Sequence, residues 1–241
     1  MLASLLAALL GAMTPAEAIS VILNSPSATS PKRYSEAKEM VLRDAEEGKP
    51  LQQFVAALSF VEGAKRERYL EAARPKIAEL AEKKDNSMAW YLLSTDRNDV
   101  NLLVKAANGG NVQALNAYGT TKLNQALADY AAGKTNDFER TVAICRKCFQ
   151  RAVKSRDPNG FINLGTCYMR GLGCDIDLAL AFDCFLAAAE LGHPEGMDCL
   201  SACYELGHGV ERDAKRSLYW RMKAKATRGD AAAAEWLKEE R

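Results

Sequence analysis

The side chains best suited to chemistry in this chain are its thiols. Seven cysteines, Cys145, Cys148, Cys167, Cys174, Cys184, Cys199 and Cys203, all fall between positions 145 and 203. Cys145-Arg146-Lys147-Cys148 has the Cys-x-x-Cys spacing that lets two thiols cycle with a disulfide. Such a redox pair is built at the start of a helix that follows a strand. Here Phe138, Val142, Phe149 and Ala152 share the motif's apolar face, which places it inside a helix. Cys145, Cys148, Cys167 and Cys174 could together supply four thiolates to zinc, but Cys174 reads as a turn residue and no second Cys-x-x-Cys faces the first. The two histidines, His193 and His208, sit in what read as inter-helix turns, where an exposed imidazole is expected. No Gly-x-Ser-x-Gly occurs, and no glycine-rich loop joins a strand to a helix. The expectation is a non-enzymatic protein with no catalytic residue, cofactor or metal.

The elements that carry these thiols repeat. At an offset of 36 residues Pro158, Gly160, Leu164, Cys167, Tyr168, Gly171, Gly173 and Asp177 fall on Pro194, Gly196, Leu200, Cys203, Tyr204, Gly207, Gly209 and Asp213. That is eight identities in twenty positions, where chance gives about one. A period of this length marks a stack of supersecondary units. Within one unit, Phe161, Leu164 and Tyr168 recur at helical spacing and predict a helix over 159–170. Gly171-Leu172-Gly173 stops it with a sharp turn. Asp175 or Asp177 can cap the next helix, whose apolar stripe is Ala181, Cys184, Phe185, Ala188 and Ala189. Gly192 ends that helix and Pro194 opens the next unit. In the second copy Met197, Leu200 and Tyr204 line the first helix, and Ser217, Trp220 and Ala224 the second. The unit is an antiparallel helix pair that cannot bury its faces alone.

These residues resemble the Sel-one-like repeat, whose pattern is Ala-x-x-Leu-Gly-x-x-Tyr-x-x-Gly-x-Gly-Val-x-x-Asp-x-x-Lys-Ala-x-x-Trp-Tyr-x-Lys-Ala-Ala-x-x-Gly. Leu164, Gly165, Tyr168, Gly171, Gly173, Asp177, Ala181, Phe185, Ala188, Ala189 and Gly192 match it in one copy. Leu200, Tyr204, Gly207, Gly209, Val210, Asp213, Trp220, Lys223, Ala224 and Gly229 match it in the next. Cys174 stands for Val, Leu180 for Lys, Cys184 for Trp and Ser201 for Gly. Lys105–Ala114 resembles the join between two repeats. A third, enlarged repeat is expected from about Ala114 to Asp157, with a polar insertion around 132–136. The resemblance implies an all-α solenoid of antiparallel helix pairs with superhelical curvature, which works by binding another protein. It further implies that first helices line the concave side. The less apolar positions there are Asn163, Thr166, Met169, Arg170, Asp198, Ser201 and Glu205, the candidate contacts.

Cysteine-rich members of that family carry a bridge between helices at a Cys-x7-Cys spacing, which this chain lacks. Transferred through the repeat symmetry, the idea gives Cys148–Cys167 and Cys184–Cys203, each 19 residues apart and each joining a second helix to the next first helix. The alternative is that these four are small core hydrophobes, since they occupy apolar repeat positions. A run of Arg212, Lys215, Arg216, Arg221, Lys223, Lys225 and Arg228 crowds one helix. It reads either as a solvated outer face or as a stripe for an acidic partner.

Composition bounds the rest. The chain has 241 residues, 48% of them hydrophobic, with 32 Lys and Arg against 31 Asp and Glu. A net charge of +1 gives no general pull toward nucleic acid or anionic membranes. Leu2 to Met13 is an apolar run followed by Ala16-Glu17-Ala18, which reads as an export signal over 1–18 cleaved before Ile19. The run is too short to span a bilayer. Residues 19–34 read as a flexible linker, 35–99 as a helical region, 100–230 as repeats and 231–241 as a closing helix. The expected protein is a monomeric, periplasmic or secreted scaffold that binds a protein partner. Two other readings are a periplasmic regulator of a membrane sensor and a cell-envelope glycan binder.

Overall fold

The computed structural model describes residues 13–23, 30–134 and 137–239. The apolar run over 1–12, the middle of the expected linker and two residues of the polar insertion lie outside the described residues. Among those described, the regular structure consists of thirteen α-helices. They are α1 (Pro15–Leu23), α2 (Pro31–Glu46), α3 (Pro50–Ser59), α4 (Gly63–Lys84), α5 (Ser87–Arg97), α6 (Val100–Asn108), α7 (Val112–Ala131), α8 (Phe138–Lys154), α9 (Pro158–Arg170), α10 (Leu178–Glu190), α11 (Pro194–Leu206), α12 (Ala214–Thr227) and α13 (Ala231–Glu239). The helices form two compact units, residues 1–109 and 110–241, and within each unit they pack on their chain neighbours as an α/α solenoid. The division falls after α6 because that helix pairs with α5. Residues 100–109, expected at the head of the repeats, thus belong with the first unit.

The first unit buries Val41, Phe54, Val55, Leu70, Ile77, Leu92 and Leu93 in one core. Asp96, from α5, is held by Arg74 of α4 through two bonds of 3.0 and 2.9 Å. The stretch expected as linker is helical at both ends, in α1 and α2. The cause at the N-terminal end is local. The Thr14 N–H donates to Glu17 Oε2 at 2.7 Å, and the Glu17 N–H donates to Thr14 Oγ1 at 3.2 Å. This reciprocal pair satisfies two donors that a helix start leaves free, and Pro15 suits the first helical position. Ala18, Ile19 and Ile22 then bury themselves in the core. The expected cleavage point therefore falls inside a packed helix.

In the second unit α7–α8, α9–α10 and α11–α12 are antiparallel pairs, and first helix meets first helix from α7 to α9 to α11. Asp177 and Asp213 cap α10 and α12, each accepting a backbone N–H at 2.9 Å. The buried stripe of α9 is Ile162, Leu164 and Cys167, with Phe161 and Tyr168 half-buried, a small rotation from the expected face. α7 runs 20 residues and α8 17, against 13 each for α9, α10 and α11, so the insertion lengthens both helices of its pair.

Small residues set the distance between helices. A Cβ on Gly119 would sit 2.9 Å from Phe149 Cζ, and one on Gly165 2.8 Å from Phe185 Cε1. Each second-helix phenyl ring thus lies directly on the backbone of its own first helix. The last pair departs at both positions: Ser201 stands for Gly and Arg221 for Phe. With no ring to fill the space, the Ser201 hydroxyl bonds the Ser217 carbonyl at 2.8 Å.

Candidate functional site

The second unit's first helices share a register set by their N-caps, Asn111, Asp157 and His193. Six residues on stand Ala117, Asn163 and Cys199; nine on, Thr120, Thr166 and Ala202; thirteen on, Asn124, Arg170 and Leu206. The first row is half-buried and the last is exposed, with Leu206 at 57%. Since α9 packs against both α7 and α11, these rows run across three adjacent helices. Apart from Cys199 and the exposed Leu206, the surface is made of small, amide and hydroxyl groups with one charge, Arg170. The Asn163 amide is without a partner, as is that of Asn159 one turn before it on the same helix face. The Thr166 hydroxyl turns back to the Ile162 carbonyl at 2.9 Å.

Of the seven expected contacts, Asn163, Thr166 and Arg170 stand on this surface. Met169 packs instead against the core cluster of the following repeat. Ser201 is buried, because its hydroxyl has the Ser217 partner described above. Asp198 and Glu205 are engaged within the fold: Arg228 bonds Asp198 Oδ2, and Arg221 bonds Glu205 Oε2 at 2.6 Å. Asn159, Thr120, Asn124, Ala202 and Leu206 were missed. Counting from the N-caps instead of from the apolar stripe would have found them.

The same pairing accounts for most of the basic run. Arg212 donates to the Glu205 carbonyl at 2.9 Å, Arg216 pairs with Asp213 at 3.4 Å, and Lys223 lies 4.6 Å over the Trp220 ring. The side chains of Lys215 and Lys225 alone are left without a partner. These ion pairs are exposed and worth at most about 1 kcal/mol each, but they use up the charge that an acidic partner would need.

All seven cysteines are free thiols. The expected pairs do not fall together. Cys145 and Cys167 share one buried cluster with Phe149, Leu164 and Leu172, and Cys184 packs against it. Cys203 belongs to the next cluster. Cys148 lies outside both, three residues round α8 from Cys145. Burial pushes the Cys145 thiol up to about 11 and those of Cys167 and Cys199 up to about 12. Thiols so desolvated are poor nucleophiles at neutral pH. Among the described residues no three His, Cys, Asp or Glu side chains converge as a metal site requires.

His193 departs most from expectation. It is 3% exposed, and neither ring nitrogen has a hydrogen-bond partner. Burial, with Arg228 nearby, holds its pKa down to about 4. Its position explains this. In the preceding repeat the same N-cap site holds Asp157, which accepts from the Gly160 N–H at 2.8 Å and from Asn116 at 2.7 Å. Five residues after the N-cap, Asn116 becomes Ile162 in the next unit. The polar pair at one junction is an uncapped imidazole and an isoleucine at the other.

Residues 162–193 and 196–220 match the Sel1 repeat. Two stretches of the chain thus match that repeat. The two matches coincide with the α9–α10 and α11–α12 pairs, double-glycine turns included. Across a larger span this chain is similar in fold to a protective antigen of uropathogenic Escherichia coli strains, which displays an SLR fold. The TM-score is 0.55 at 19% identity, covering 86% of this chain and 44% of the antigen. The chain thus spans less than half that antigen's length. A Sel1 repeat protein from Oxalobacter formigenes aligns over 53% of this chain and 90% of its own, at 21% identity and a TM-score of 0.45. No curated protein matches. Sel1 repeats act in protein–protein interaction, and no described helix is long and apolar enough to cross a membrane.

Proposed function

We propose that this chain is a non-enzymatic adaptor whose second unit holds an extended segment of a protein partner across α7, α9 and α11. The observation that carries the reading is the three-row surface, largely of amide, hydroxyl and small side chains. Free amides at Asn159 and Asn163 can each donate to and accept from a peptide main chain, and small neighbours let that chain approach. One charge, Arg170, favours a carboxylate on the partner. A surface so poor in cations does not suit nucleic acid.

The test is a pull-down from the source cells with wild type and with Asn163→Ala/Arg170→Glu. Asn163 is half-buried and Arg170 exposed, and neither belongs to a core cluster, so the melting temperature should hold. Recovery of the bound protein should fall about tenfold or more, the loss of one or two hydrogen bonds to a charged group. Equal recovery would remove the partner from this surface.

Export is a separate part of the proposal, resting on the apolar run and the small-x-small sequence at Ala16–Ala18. Because α1 crosses the Ala18–Ile19 bond, processing must act before that helix packs. Terminal sequencing of native material should read from Ile19. An intact Met1 in a soluble cytoplasmic fraction would overturn export.

A further inference from the structure

We propose that Cys167 and Cys174 are the chain's oxidisable pair, forming a disulfide that ties the end of α9 to the turn that follows it. Cys174 Sγ lies 3.7 Å from the Cys167 carbonyl oxygen. The turn between them is pressed onto α8, where a Cβ on Gly173 would stand 3.0 Å from the Ala143 nitrogen. Leu172, in the same turn, joins Cys167 and Cys145 in one buried cluster.

The neighbouring repeat supports the reach of this position independently. There Val210 replaces Cys174, and it packs against the cluster that contains Cys203, the counterpart of Cys167. A side chain at this place in the turn therefore packs inward, against the cluster that holds the residue seven positions back. Only the first copy has a thiol at both places. Of the two, Cys174 is half-buried and Cys167 fully buried, which assigns the roles. One turn along α8 from Val142, Arg146 keeps a buried Nε with no partner. It acts on both thiols and favours their charged forms.

The oxidant is a small-molecule disulfide such as oxidised glutathione. The Cys174 thiolate attacks one of its sulfurs, the S–S bond breaks, and one glutathione thiolate leaves and takes a proton. Cys167, losing its proton to solvent, then attacks the Cys174 sulfur of the mixed disulfide and releases the second glutathione. Two protein thiols become one disulfide, and one disulfide becomes two thiols. Burial raises both thiols, so the exchange should be slow at neutral pH and accelerate as pH rises.

The experiment treats the full chain with excess oxidised glutathione at pH 7 and pH 9, then maps disulfides by mass spectrometry without reduction. The expected product has lost two hydrogens and joins the peptides carrying Cys167 and Cys174, forming at least tenfold faster at pH 9. Cys174→Val installs the residue of the neighbouring repeat, so it should fold as wild type and lose the product. Bridging of Cys167 to Cys145 or Cys148, or the same mass loss in Cys174→Val, would overturn the assignment. So would persistence of both thiols at pH 9.

Discussion

Gly209→Val should leave the α11–α12 pair unable to close, at a cost of about 4 kcal/mol or more. Two effects add at this residue. Its φ is +74°, a region that β-branched residues enter only under strain. A Cβ there would also overlap the Leu178 carbonyl oxygen, with the Ala179 Cα at 3.0 Å. Both are backbone atoms of the preceding pair, so no side chain can rotate away. Gly173→Val meets the same φ strain at +69°, but its nearest backbone atom stands at 3.0 Å, so it should cost less, roughly 2–3 kcal/mol. A control at Gly192 separates the two effects. Its φ is +84° with nothing within 4 Å of an added Cβ, so Gly192→Ala should cost only about 1 kcal/mol. Thermal and urea melts of the three variants check the order. Equal losses at positions 192 and 209 would mean that φ alone matters and that the turn does not touch the preceding pair.

The second large effect is acid sensitivity traced to His193. An unfolded histidine titrates near 6.5, whereas the buried imidazole titrates at about 4. Between those values the unfolded chain takes up a proton that the folded chain refuses. Stability from this group is therefore complete above about pH 6.5 and declines as pH falls toward 4. The loss is on the order of 3 kcal/mol when the whole window is crossed. His193→Asn should remove this dependence. It should also add about 1 kcal/mol at neutral pH, because asparagine can accept the first-turn N–H as Asp157 does for Gly160. Other groups titrate in this range, so the quantity to read is the difference between wild type and variant. Urea midpoints at pH 7 and pH 4.5 supply it. A constant difference at the two pH values would show that His193 is solvated.

What could be read from the sequence was local in origin. Gly173 and Gly209 announce turns because their backbone conformation depends on the residue itself. Asp177 and Asp213 announce caps because they bond three residues along. The N-terminal helix was equally legible: Thr14-Pro15-Ala16-Glu17 is a capping box with proline at the first helical position, overshadowed by the apolar run before it. The other misreadings involve partners distant in sequence. Ser201 looked like a surface residue in a glycine position until Ser217 appeared beside it. Asp198 and Glu205 looked free because Arg228 and Arg221 come a helix later. His193 looked solvated because it sits beside glycine in a turn, yet that turn is where one pair buries itself against the next. The cysteine pairs were drawn from repeat symmetry, which fixes position along a helix. It does not fix which neighbour a side chain faces, and Cys145 and Cys148 on α8 go different ways.

The most direct test of the docking surface is site-specific photocrosslinking in the source cells. A photoreactive residue placed at Thr166 or Ala202 should give one discrete heavier adduct containing the partner. The same residue at Lys215, on α12 and away from the three rows, should give none. An adduct at 215 with none at 166 or 202 would contradict the assignment and place the partner on the second helices.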